Sequence, residues 1–174
     1  MKGVIPGLIL VGLASTSCEA ADAKGAIKEF GLEGSWMIDC SKSIGVMIMG
    51  DMSNPQPNER FTFSVPRVGR AVMAVSGLGQ SIEGEVIDAT IVSENKIKID
   101  VTFKAPRGSN KGAATVTALE AIYVLEKDGK KIRRLSAKLK GSGEVLIEDG
   151  REVVRSGPNA RLGSSVPWQE KCRQ

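Results

Sequence analysis

The clearest pattern in the chain is the strict alternation over residues 96–104. Ile97, Ile99, Val101 and Phe103 occupy one set of positions, and Lys96, Lys98, Asp100, Thr102 and Lys104 the other. A period of two sends successive side chains to opposite faces, so this stretch predicts a strand with one buried and one wetted face. Phe61, Phe63 and Val65 alternate with Thr62 and Ser64 before Pro66, and Ala71, Met73 and Val75 follow in the same rhythm. Residues 85–93 predict a further strand, joined to 96–104 by Glu94-Asn95 as a two-residue hairpin. Residues 115–127 and 130–139 flank Asp128-Gly129, which suits a type I′ turn, and 145–148 and 152–155 flank Asp149-Gly150. The stretch 115–127 is apolar on both faces, so its outer face needs cover from the N-terminal segment or the C-terminal tail.

Residues 34–40 predict the first strand, with Trp36, Ile38 and Cys40 on one face. Before it, Ala26, Ile27 and Phe30 stand at helical spacing and Gly31 supplies a stop, which predicts one or two helical turns. Residues 41–58 are irregular, yet Met47, Met49 and Met52 lie there among Val and Ile. That run reads either as a flexible apolar lid over a cavity or as an extra strand or loop packed on the core. Residues 105–112 read as a polar loop that could present a binding surface. About eight or nine strands joined by tight turns remove their exposed edges most economically by closing on themselves. The expected fold is therefore all-β, a single up-and-down antiparallel β-barrel of about eight strands with a short N-terminal helical turn. Such a barrel is either filled by side chains or holds one small ligand. Ala71, Ala89 and Ala137 leave room inside, whereas Phe61, Phe63 and Phe103 fill it.

Composition narrows the chemistry. The chain has 174 residues, no histidine, and only four Phe, two Trp and one Tyr. Lacking histidine, it can carry neither a Ser-His nor a Cys-His hydrolase, and the commonest metal ligand is missing. No pair of carboxylates stands out by spacing, so no catalytic residue, metal ligand or cofactor is expected. The net charge of +4 permits an anionic partner. The main basic cluster, Lys127, Lys130, Lys131, Arg133, Arg134, Lys138 and Lys140, falls in one hairpin and reads as a charged outer face. It has almost no interleaved aromatic residues and no recognisable motif, so nucleic acid is not expected as a partner.

At the N-terminus, Lys2 precedes an apolar run of about 11 residues, 4–14, and then small residues up to Ala21. This reads as a secretory signal peptide over residues 1–20, cleaved after Ala20, with Ala21-Asp22-Ala23 as a second site three residues on, and leaves one barrel domain over 21–174 in the periplasm or outside the cell. The run is too short to span a bilayer, and no transmembrane segment is expected later. Cys18 also admits a lipoprotein reading, although the leucine expected three positions before it is replaced by Ser15. If Cys18 leaves with the leader, Cys40 and Cys172 remain in an oxidising compartment and are expected to form a disulfide.

Gly34-Ser35-Trp36 at the start of a strand, the meander and the cysteine clasp to the tail together resemble the lipocalin and calycin group of barrels. The resemblance implies a closed barrel with an arginine of the last strand over the tryptophan, for which Arg155 is the matching position. Residues 34–40 and the closing Pro167-Trp168 to Cys172 also resemble a family of small secreted bacterial proteins that implies no activity. Two functions follow as expectations. One is an exported, non-catalytic barrel binding a small apolar ligand or lipid through Trp36, Met47, Met49, Met52, Ile99, Val101, Phe103 and Tyr123. The alternative is a protein-binding barrel, such as a periplasmic hydrolase inhibitor or an envelope assembly factor. An enzyme would have to work with carboxylates, lysine or tyrosine alone.

Overall fold

The structure is a computed structural model that describes residues 18–49, 55–77, 79–104, 118–156 and 159–173. The leader residues before Cys18, the loop 105–112 and Met52 lie outside the described residues. One helix, α1 (Cys18–Phe30), precedes the strands β1 (Gly34–Met37), β2 (Met47–Ile48), β3 (Gln56–Pro57), β4 (Arg60–Ser64), β5 (Val72–Gly77) and β6 (Gln80–Ser93). They are followed by β7 (Lys96–Lys104), β8 (Ala118–Asp128), β9 (Lys131–Leu139), β10 (Val145–Glu148), β11 (Arg151–Ser156), β12 (Asn159–Ser165) and β13 (Gln169–Lys171). Eight of them close an antiparallel barrel in the order β1-β4-β5-β6-β7-β8-β9-β13 and back to β1.

The expected barrel is present, but its closing strand is not the expected one. The C-terminal tail does not cross the barrel as a strap. Its β13 enters the wall, pairing Trp36 with Lys171 on one side and Gln169 with Ile132 on the other. The hairpin around Asp149-Gly150, expected to complete the wall, instead begins an extension in which β10 pairs Ala137 and Lys138 of β9 and β11 and β12 continue outward. Asp149 and Gly150 both take positive φ, +48° and +70°, as a type I′ turn requires. In the β8–β9 hairpin, Gly129 and Lys130 form the turn and, of these, only the glycine has positive φ, so that turn is not type I′.

The helix is longer than one or two turns, running 13 residues, and its apolar stripe lies in its last two turns. Ala23, Ala26, Ile27 and Phe30 lie three and four residues apart and are all buried. Gly31 ends it at φ +79°, donating its N–H to the Lys28 carbonyl (2.9 Å) while Leu32 donates to Ile27 (3.0 Å), a Schellman closure. The helix lies at the barrel end where the β4–β5 and β8–β9 turns gather. Lys24 Nζ donates to the Pro66 carbonyl (2.8 Å) and Lys127 Nζ to the Phe30 carbonyl (2.9 Å).

Ile97, Ile99, Val101 and Phe103 face inward as their alternation predicts, and join Trp36, Phe61, Phe63, Met73, Leu125, Ile27 and Leu32 in one core where none is more than 2% exposed. Gly84 makes this possible, since a Cβ there would stand 2.6 Å from Val101 Cγ1 and 2.8 Å from Phe103 Cδ1. Asp100 faces outward, yet it is buried rather than wetted, because Lys98 (3.6 Å) and Lys140 (2.9 Å) close over its carboxylate. On the outer face of β8, Ile122 and Val124 are half-buried and flanked across the ladders by Lys98, Asp100, Ser136 and Lys138.

The first strand stops at Met37, so Trp36, Ile38 and Cys40 do not continue along one face. Beyond the bend, Asn58 organises the connection. It is fully buried, accepting from the Asp39 N–H (3.1 Å) and donating to the carbonyls of Asp39 (2.9 Å), Lys42 (3.3 Å) and Ser43 (3.2 Å). The bend brings Cys40 to Cys172, with Cα atoms 5.4 Å apart. Replacing both cysteines by serine is expected to lower unfolding stability by about 2–5 kcal/mol, measured by urea titration, because the bond closes a loop spanning 132 residues. Asn58→Ala is expected to cost about 1–3 kcal/mol in the same measurement, with no compensating partner for the abandoned backbone groups. An unchanged urea midpoint for either variant would refute the corresponding assignment.

Candidate functional site

The expected ligand residues separate into three places. Trp36, Ile99, Val101 and Phe103 belong to the core, at 0–2% exposure. A side chain bordering a water-sized cavity would show accessible surface toward it, so Ile99, Val101 and Phe103 border none, and Trp36 meets open space only at the outer groove described below. Met47 and Met49 are 47% and 59% exposed on and beside the two-stranded β2–β3 sheet, which is separate from the barrel sheet. Tyr123 alone is partly open. It stands edge-on to Phe103, ring centroids 6.4 Å apart, and packs against both the main core and a second cluster of Ala137, Ile147 and Val166.

Tyr123 marks the mouth opposite the helix. There the inward phase of β9 carries Ile132 and Arg134, and a bulge at Leu135 shifts the phase so that Ala137 is inward further up. Arg134 therefore enters the barrel, stacks over Phe61 (4.8 Å to the ring centroid) and binds Glu59 Oε2 at 3.0 Å. A shallow pocket of about 330 Å³ beside them is lined by Glu59, Val75, Gly77, Gln80 and Ile82. Burial pushes the Tyr123 phenol above its ordinary range, opposed by the Arg134 charge and reinforced by Glu59. The mouth thus offers a carboxylate and a guanidinium already paired with each other, and a neutral phenol.

At the helix end the arrangement is cationic. A groove of about 1000 Å³ runs beside Trp36 and Cys40, lined by Lys127, Lys130, Lys131, Lys171 and Arg173 against Asp39 and Glu170. Lys127 and Lys171 are engaged with the helix C-terminus, donating to the carbonyls of Phe30 (2.9 Å) and Gly31 (3.3 Å) and lying over the rings of Phe30 (5.5 Å) and Trp36 (5.4 Å). Asp39 is engaged by the Ser41 N–H (2.9 Å) and hydroxyl (2.6 Å), which hold its carboxyl below the usual range.

The cation over Trp36 is thus Lys171 from β13. Arg155 sits on β11, opposite Ala160 and outside the closed barrel, and its side chain is outside the description. The hairpin's basic cluster is not one uniform outer face. Arg134 is inside, Arg133 binds Glu126 (2.6 Å) and stacks on Trp168 (4.6 Å), and Lys140 holds Asp100. Asn58, the Glu59–Arg134 pair and the two helix-capping lysines carry no motif in the sequence that would single them out. The shared phase of Ile132 and Arg134 was the one available signal. Among the described residues no group of His, Cys, Asp or Glu is placed to hold a metal, and no helix is long and apolar enough to cross a membrane. Comparison with family models, curated proteins and solved structures finds no match.

Tyr123 is the sole tyrosine, so the rise of phenolate absorbance near 295 nm reports it directly. The folded protein is expected to titrate above the ordinary value of about 10. The unfolded chain then loses this proton first, so the contribution to stability is present below that pH and is lost as pH rises above it. A midpoint at or below the ordinary value would refute its placement.

Proposed function

We propose that this is an exported, non-catalytic binding barrel whose working surface is its exterior. The observation that carries this reading is the filled interior. The side chains that would line a ligand chamber, Trp36, Phe61, Phe63, Ile99, Val101 and Phe103, are each at most 2% exposed and continuous with the helix that stops one end. A small apolar ligand or lipid would have to use the mouth, where Glu59 and Arg134 stand beside Val75 and Ile82. Export is supported by the signal-peptide pattern of residues 1–20 and by the Cys40–Cys172 bond, which belongs to an oxidising compartment such as the periplasm. The lipocalin-like opening Gly34-Ser35-Trp36 fits the same reading as a scaffold rather than as a calyx. A filled interior favours a surface-binding barrel over a ligand carrier.

Native mass spectrometry of protein purified from its own host, joined with titration of an environment-sensitive apolar dye, tests the reading. The expected result is the bare mass of the processed chain and no saturable dye site. A lipid or other apolar molecule retained in one-to-one ratio would overturn it.

A further inference from the structure

We propose that the helix-stopped end of the barrel is a docking face for an anionic lipid surface, a proposal that rests on the exterior being the working surface. The topology gathers α1, the β4–β5, β6–β7 and β8–β9 turns and the C-terminal end of β13 at this end. Lys28, Arg67, Lys130, Lys131, Lys171 and Arg173 are all exposed there. Among the described residues none of the six is ion-paired with a carboxylate. The cations that are paired, Lys98, Lys104, Arg133, Arg134 and Lys140, belong to the wall and the mouth.

Glu29, Glu33, Glu94 and Asp128 also face this end, so the field is not of one sign. The groove beside Trp36 nevertheless sets five cations against two carboxylates, Asp39 and Glu170. A cationic face of this kind is drawn to the negative surface of a bilayer and released by salt.

Two features favour a planar lipid surface over a soluble acidic polymer. The cations come from a helix, two turns and the tail, so they cover a face rather than following a line. Exposed valines stand at the same end: Val68, in the β4–β5 turn, is 89% exposed and Val92, at the end of β6, is 60% exposed. Valines beside lysines and arginines can enter the headgroup region of a bilayer while the cations meet its phosphates. They add nothing to the binding of a dissolved polyanion.

The test is flotation of the exported protein with phosphatidylcholine vesicles, with or without roughly one-third phosphatidylglycerol. Binding is expected only to the anionic vesicles, and it should fall steeply as salt rises from about 0.1 M to about 1 M. Lys130→Gln with Lys131→Gln should lower the partition coefficient about 25-fold, since each basic residue near such a surface is worth about fivefold. Lys138→Gln, on the wall, should leave it within about twofold. Val68→Ser should lower vesicle binding severalfold without altering retention on a heparin column, which reads charge alone. Circular dichroism and the intact disulfide confirm that each variant is folded. Equal binding to neutral and anionic vesicles, insensitivity to the Lys130/Lys131 change, or retention on heparin with no vesicle binding would each overturn the proposal. A protein that carries no apolar ligand yet fails to bind vesicles would remove this inference alone, whereas a retained interior lipid would remove the reading beneath it.

Discussion

Everything in this barrel depends on how its last gap is closed. The meander β4 to β9 and the short β1 would leave two edges of unpaired N–H and C=O groups, a standing invitation to pair with other chains. The gap is filled by β13, three residues long, which meets β1 and β9 through two register pairs each. So short a strand cannot hold its place through ladder bonds alone. Around it the structure sets the Cys40–Cys172 bond, the Cys172 N–H on the Ser35 carbonyl (2.8 Å), Lys171 over Trp36 and Trp168 under Arg133. The disulfide thus turns a closure between distant ends of the chain into a local pairing.

A barrel wall made by so few aromatic residues must find apolar volume elsewhere. The helix provides it, carrying Ile27 and Phe30 against the inward faces of the strands, and the Schellman closure adds Leu32 to the same core. At the other end the wall accepts a charged side chain. Arg134 keeps its guanidinium on Glu59 while covering the face of Phe61, so the pair fills space that an aliphatic residue would otherwise occupy. The filled interior and the polar mouth are therefore two halves of one packing solution.

Much of this was legible in the chain. The inward set Ile97, Ile99, Val101 and Phe103, the buried Ala71, Ala89 and Ala137, the 93–96 hairpin and the cysteine pairing all follow from period, turn chemistry and cysteine count. What was not legible has identifiable physical causes. Gln169-Glu170-Lys171 has no strand signature because it is too short for alternation to show, and its place is set by neighbours distant in sequence. The bend after Met37 depends on Asn58, whose amide sits in what reads locally as a proline-bounded loop. Asp100 obeys the alternation yet is buried, because Lys140 arrives from beyond β9. The candidate site was the least legible part, since the ligand residues read from apolar character were the same ones needed to fill the core.

The position of the helix also explains two of the cations gathered at its end. A helix C-terminus presents unpaired carbonyls and the negative end of the macrodipole, and both are satisfied by nearby cations. Lys127 and Lys171 do this from β8 and β13, the second of them beside the disulfide, and in doing so they tie the helix to the closing strand and to the β8–β9 hairpin next to it. Their charge at this end is therefore required by the fold. Lys130, Lys131 and Arg173 have no such task. Among the described residues they reach no carbonyl of the helix and no carboxylate, although Asp128 lies close to two of them in sequence. Capping of the helix thus accounts for the first pair of cations, and the other three stand exposed at the same end. These exposed cations are the ones on which the proposed docking face rests.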